Sequence, residues 1–326
     1  MNIYIEIENF YKEFPGNFLL ALNYVSKKNN IYLAHRSDIQ DCALKDLISP
    51  GIIHLKDVNS LDSNFNVIKK INSKGFSFTS QDAEPGLTID NYDEFSTIRM
   101  LDGKTYNFLD YYFAWGKRDF EILKKKFNKY KTKFIVAGSP KLDFLKSFKI
   151  NKIQKDEFKS KLGIKKKIIL IPTSISFPIG IRRMADWMYS FKMGKSLNDK
   201  MKIEKRFFET FTEATKNLEK FIELIRYLDK ETQNFEIIIK SHPDERIDDW
   251  KKLIDLKSEK IHYIDNISVG ELIFFSDIII QNGSSVVLDA FLCKKSIITY
   301  EPYLFTGDTN KTFPNSFGKK LKTKED

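Results

Sequence analysis

The feature that most constrains this chain is a rhythm. Short apolar, β-branched runs recur along it, separated by stretches whose apolar residues fall at helical spacing. In the first half the strand-like runs are Asn2–Glu8, Ile31–Ala34, Ile52–Leu55, Phe76–Thr79, Tyr112–Trp115 and Phe134–Ala137, with helical spacing at Phe18–Val25, Asp38–Ile48 and Lys117–Phe127. The second half repeats the pattern with Ile168–Pro172, Phe235–Lys240, Ile261–Ile264, Asp277–Gln281 and Ser296–Tyr300, and with helical spacing at Ile203–Glu231, Ile247–Leu256, Val269–Phe275 and Ser285–Cys293. A strand apolar at every position must bury both faces, and a parallel sheet with helices on each side does that. The sequence therefore predicts a doubly wound α/β architecture. Its 326 residues are about twice the usual ~150-residue domain. The lysine-rich segment 149–167 reads as a solvated connector, which divides the chain into a 1–150 and a 151–326 domain.

Open α/β sheets bind ligands beyond the carboxyl ends of their strands, so residues just after the strand-like runs are the candidate site. Asn282, Gly283, Ser284 and Ser285 follow the run ending at Gln281. Gly283 lets backbone approach a ligand, and Ser284 and Ser285 sit where a helix exposes its first free amides, the makings of an anion site. Ser284 equally fits a plain helix N-cap. His242 and Pro243 follow Lys240; the proline biases His242 toward extended backbone, and an imidazole there can donate to a phosphate oxygen. Of the four histidines, His35, His54, His242 and His262, only His242 has this context. Asp289, one helical turn past Ser285, and Glu301, after the last strand, suit ribose hydroxyls. Thr173 and Ser174 follow another strand, as do Gly138, Ser139 and Pro140, with the proline at a helix first turn. Asp82 and Glu84, beside the Pro85–Gly86 turn, are placed to act as base or nucleophile by analogy with glycoside hydrolysis. A plain acidic turn is the alternative.

Lys and Arg number 54 against 44 Asp and Glu, a net charge of +10. The excess is scattered, so it fits either weak attraction to an anionic membrane surface or composition alone. Zinc-finger spacing, aromatic RNP-like motifs and basic heptads are absent, which argues against nucleic-acid binding. Histidine and cysteine are too few for a metal site, and no Asp-x-Asp follows an apolar strand. Phosphate-loop and GxGxxG fingerprints are missing too, so neither a metal nor a cofactor is expected. Cys42 and Cys293 lie far apart in apolar contexts and read as free thiols in a reducing compartment. The start, MNIYIEIENF, alternates like a strand, and no apolar stretch approaches about 18 residues. The expected location is the cytoplasm, with possible peripheral contact at the inner membrane face. The basic, Met-rich and aromatic segment 176–202 reads as membrane or acceptor contact or as a packed insertion. The polar tail after Phe305 is expected to end loosely.

The blocks QDAEPGL, FAWGKRDFEIL, VAGSPKLDFL, ILIPTSISF, IIIKSHPDE and IIIQNGSSVVLDAFLCKKSIITYEP occur in this order over residues 76–302. Together they resemble the bacterial surface carbohydrate biosynthesis proteins, relatives of GT-B transferases that use CMP-activated Kdo. The resemblance implies a GT-B fold, two Rossmann-like doubly wound domains facing a cleft, with the acceptor side in 1–150 and the nucleotide-sugar side in 151–326. It implies a metal-independent glycosyltransferase that moves Kdo or another ulosonic acid from a CMP donor to a surface polysaccharide or lipid-linked glycan precursor. His242, Ser284 and Ser285 would then hold the donor phosphate, with the Glu84 loop near the transferred sugar. The Ser284–Ser285 form also resembles sialyltransferases and the CDP-glycerol glycerophosphotransferases. The alternatives are therefore a CDP-glycerol-type polyol-phosphate transferase or a UDP-sugar 2-epimerase-like enzyme and, in a different class, a non-catalytic scaffold of polysaccharide assembly.

Overall fold

In a computed structural model of the chain, the strand-like runs pair into two six-stranded sheets whose pairings are all parallel. The structure describes residues 1–8, 10–25, 28–58, 62–83, 104–174, 188, 192, 196–243, 245–303 and 313–326. Two compact units result, Met1–Phe148 and Lys149–Asp326.

The first unit runs β1 (Asn2–Ile7), α1 (Phe10–Val25), β2 (Asn30–His35), α2 (Arg36–Leu44), β3 (Ile52–Leu55), α3 (Asp62–Asn72), β4 (Ser77–Ser80), β5 (Leu109–Ala114), α4 (Lys117–Phe127), β6 (Lys133–Val136) and α5 (Pro140–Ser147). Its sheet order is β2-β1-β3-β4-β5-β6. Alternating side chains explain the two layers. Tyr4, Ile53, Leu55, Phe78 and Tyr112 pack one face against Ile39 and Ala43 of α2, Ile68 and Ile71 of α3, and Leu123 of α4. On the other face Ile3 and Ile5 meet Ala21 of α1. The helix α1 begins eight residues before the expected Phe18 and carries Pro15 within it. Gly16, next to it, is needed for close packing: a Cβ there would run into the backbone of Lys141 in α5.

The second unit runs α6 (Lys152–Lys161), β7 (Lys167–Pro172), α7 (Leu197–Glu231), β8 (Phe235–Lys240), α8 (Ile247–Ile254), β9 (Ile261–Tyr263), α9 (Val269–Phe275), β10 (Ile278–Gln281), α10 (Val287–Leu292), β11 (Ser296–Tyr300) and β12 (Lys319–Leu321). Its order is β12-β11-β10-β7-β8-β9. The alternation is clean here. Ile169, Ile171, Ile237 and Ile239 face Leu218, Phe221 and Ile225 of α7 and Trp250 of α8. Ile168, Leu170, Ile238 and Ile279 face Phe158 of α6, Leu272 of α9, and Val287 and Ala290 of α10. Two expectations need correction. The lysine-rich connector holds α6, started by a capping box between Asn151 and Gln154 and anchored in the core by Phe158. The tail does not end loosely. It forms β12, paired with β11, and Gly318 (φ +74) lies so close to the Ile297 carbonyl that no side chain fits.

Candidate functional site

Strand order reverses in the second unit between β7 and β10, the position at which an open α/β sheet splits to admit a ligand. The pairing shows the split. β7 stays in register with β8 as far as Pro172↔Lys240, whereas with β10 the register stops at Ile279↔Leu170. Beyond that point Thr173 and Ser174 leave β7 and join the corners on either side of it. Ser174 Oγ donates to the Asn282 carbonyl (2.5 Å) at the end of β10. The His242 amide at the end of β8 donates to Thr173 Oγ1 (3.1 Å). The two corners thus flank β7 about 10 Å apart, two strand spacings.

The β8 corner is built on a turn in which the Glu245 amide donates to the His242 carbonyl (2.8 Å). Lys240 and Ser241 are fixed by Asp265, through Nζ to its carbonyl (2.7 Å) and Oγ to Oδ1 (3.1 Å). His242 is half-buried and Pro243 exposed, so the imidazole sits at the rim and not in the core.

The β10 corner differs from expectation in its amides. Gly283 takes φ +70, which favours glycine, but its N–H donates to Asn315 Oδ1 (2.6 Å) and that of Ser284 to Gln281 Oε1 (3.0 Å). Neither amide is free for an anion. Ser284 is buried and Ser285 half-exposed, so Ser285 offers the accessible hydroxyl. Asn315 is the residue that sequence reasoning missed. Its Nδ2 also donates to Asn282 Oδ1 (3.0 Å) and Glu301 Oε1 (2.9 Å). Glu301 is thereby engaged from below, with Lys320 at 3.5 Å on its other oxygen. Asp289 is 3% exposed and does not line an open surface. With burial, it pushes the nearby Cys293 thiol up to about 11. The signal for Asn315 was its setting, Phe313-Pro314-Asn315-Ser316-Phe317-Gly318, a turn bracketed by aromatics inside a tail otherwise polar.

In the first unit, Asp82, Gly138, Ser139 and Pro140 gather at the carboxyl edge of the sheet. Gln81 Nε2 donates to the Gly138 carbonyl (2.6 Å) and Trp115 Nε1 to the Asp82 carbonyl (2.9 Å). Asp82 is itself 3% exposed. Ser139, the N-cap of α5, makes no capping bond through its side chain. A cavity of about 50 Å³ lies here, lined among others by Glu13, Lys56, Gln81, Trp115 and Ser139. Beside it, at the β1/β3 order reversal, Arg36 binds Glu6 (2.9 Å) and Asp57 (2.9 Å), and Lys56 reaches Glu8 and Glu13. Burial raises the Glu6 carboxyl above its ordinary range despite Arg36. Burial would lower Lys56, but Glu8, Glu13 and Asp57 outweigh it and hold the ammonium charged. Burial pushes the half-buried His54 imidazole down to about 4. Glu84 lies outside the described residues, as does most of 176–202.

Two parallel-sheet units of this kind define the GT-B class of fold, and solved structures share it at low identity. The wall teichoic acid polymerase TagF aligns at a TM-score of 0.58 with 13% identity, covering 99% of this chain and 77% of that one. Another structure of the same polymerase, soaked with CDPG, aligns equally well. The MnaA–UDP structure from S. aureus gives 0.56 and 13%, over 91% of this chain and 78% of that one. The UDP-GlcNAc 2-epimerase from Neisseria meningitidis bound to UDP-GlcNAc gives 0.51 and 15%, over 92% and 82%. No curated protein matches the chain. Residues 84–314 match the model of the CDP-Glycerol:Poly(glycerophosphate) glycerophosphotransferase family, and the chain belongs to that family. It is accordingly a transferase. That family names a CDP-activated polyol where the resemblance implied CMP-Kdo. No helix among the described residues is long and apolar enough to cross a membrane.

Proposed function

We propose that the chain transfers a polyol phosphate from a CDP-activated donor, of the CDP-glycerol kind, to a hydroxyl of a surface polymer or lipid-linked precursor. An acceptor hydroxyl attacks the phosphorus that carries the polyol, and CMP leaves. The observation that carries this reading is the β7/β10 split with its two bridged corners, lying within the family match. Residues 149–326 are the donor side. His242 at the rim donates to the departing CMP phosphate, where a positioned donor stabilises developing charge, and Ser285 supplies a second hydroxyl. Asn282, Gly283 and Ser284 shape the wall, Thr173 and Ser174 its floor, and Pro243 stiffens the turn. Glu301 and Asp289 act from behind this wall. The 1–148 unit is the acceptor side. Glu84 receives the acceptor's proton, Asp82 being buried in the fold, and Gly138, Ser139 and Pro140 border the same edge.

Ulosonic-acid transfer from a CMP-sugar would use the same corners, since CMP leaves in both reactions. Isothermal titration with CDP-glycerol, a CMP-ulosonic acid and UDP-GlcNAc separates the readings. CDP-glycerol is expected to bind, and His242→Ala to weaken binding by about 2 kcal/mol, a charge-assisted hydrogen bond. Binding of UDP-GlcNAc alone, or unchanged CDP-glycerol binding in His242→Ala, would overturn the proposal.

A further inference from the structure

The β8 corner contains a buried acid that the reaction above does not use. Glu245 is 6% exposed, and its Oε2 collects the donors around it. Trp250 Nε1 donates to it at 2.8 Å and the His242 amide lies at 3.4 Å. Thr173 Oγ1 also bonds to it, and the same hydroxyl accepts from the His242 amide. One carboxylate oxygen therefore ties β7, the β8 corner and α8 together at the edge where the sheet splits. Its other oxygen, Oε1, is buried and has no hydrogen-bond partner among the described residues. A buried acceptor left unpaired costs stability, and such costs persist where surrounding structure fixes them for another purpose.

We infer that Glu245 is the positioning residue of the nucleotide site. It fixes the Thr173 hydroxyl, and through it the His242 backbone, so that the imidazole of His242 points at the phosphate. The inference rests on the reading that His242 serves a nucleotide phosphate. The corner itself, however, can be tested without any ligand. What matters in this arrangement is one hydrogen-bond acceptor at the Oε2 position, not a negative charge.

The test compares Glu245→Gln, Glu245→Ala and Thr173→Val in the full chain. Gln keeps an acceptor for Trp250 and Thr173, Ala removes it, and Val removes the hydroxyl that relays to His242. Without ligand, the backbone amide of His242 and the indole N–H of Trp250 are followed by ¹⁵N NMR with hydrogen exchange. Glu245→Ala is expected to shift both and speed their exchange, while Glu245→Gln leaves both near wild type. An unperturbed His242 amide in Glu245→Ala overturns the inference, whatever nucleotide binds. With CDP-glycerol, Kd is expected to rise about tenfold or more in Glu245→Ala and Thr173→Val, since small misplacements of a binding group are costly. The double variant is expected to lose no more than either single one, as for groups acting in one chain. Rescue by Gln distinguishes positioning from charge. If Gln loses as much affinity as Ala, the acid acts by charge and the inference fails. If Ala lowers the melting temperature but the folded fraction binds as wild type, the role is structural and the inference fails again. Should wild type bind no cytidine nucleotide, the functional reading falls and the NMR comparison still decides Glu245.

Discussion

The most informative single substitution is Asn315→Ala, because Asn315 links the tail to the β10 corner. The amide accepts from Gly283 N at 2.6 Å and donates to Asn282 Oδ1 at 3.0 Å and to Glu301 Oε1 at 2.9 Å. Neutral bonds contribute about 1 kcal/mol each and one to a carboxylate about 1.5–3 kcal/mol, so all three are worth about 4 kcal/mol. Gly283 is exposed and recovers a bond to water, which brings the expected loss to about 3 kcal/mol. For a unit of this size that lowers its melting temperature by about 6–12 °C. Asn315→Asp is expected to do worse at neutral pH, because the replaced amide nitrogen becomes an oxygen facing Glu301 and Asn282. Calorimetry of the intact chain reads both, with Phe221→Ala, a buried core residue of the same unit, marking which transition to follow. A shift within about 2 °C for Asn315→Ala would show that these bonds are exchanged for water at no net cost. In that case the tail does not hold the corner.

Arg36→Leu is expected to destabilise the first unit by about 3 kcal/mol, because Glu6 and Asp57, both buried, would lose the guanidinium they share; a loss below about 1 kcal/mol in urea unfolding would count against it. Burial alone would raise Glu236, but the Lys165 and Lys166 amides and His262 hold it below its usual 4.5. Its contribution is therefore fully present above that pH and lost as pH falls through the lower folded value, so Glu236→Gln should flatten the acid limb of the second unit's stability curve. With its thiol pushed up to about 11, Cys293 should carry only about one thiolate per thousand at pH 8 and resist iodoacetamide in the native state. Mass spectrometry showing Cys293 alkylated at the rate of an unperturbed cysteine would refute this.

Periodicity determined the architecture. Runs such as Phe235–Lys240 and Ser296–Tyr300 are apolar on both faces, which leaves a parallel sheet as the way to bury them, and the structure has these strands at those bounds. Where local signals conflicted with packing, the sequence misled: helical spacing puts the start of α1 at Phe18 where the structure begins it at Phe10, and the lysines of the connector hide the buried face of α6. The corners after β8 and β10 were legible because a turn residue at a strand end has few other reasons to be Gly, His-Pro or Ser-Ser. What only the tertiary structure decided is who occupies the hydrogen bonds there. Asn315, separated in sequence from Gly283 by 32 positions, takes an amide that sequence reasoning left open for an anion. Glu245 meets Thr173 across two strands. Partners of that kind are set by strand order and register, which depend on how all the strands pack at once, and no local pattern in the chain encodes them.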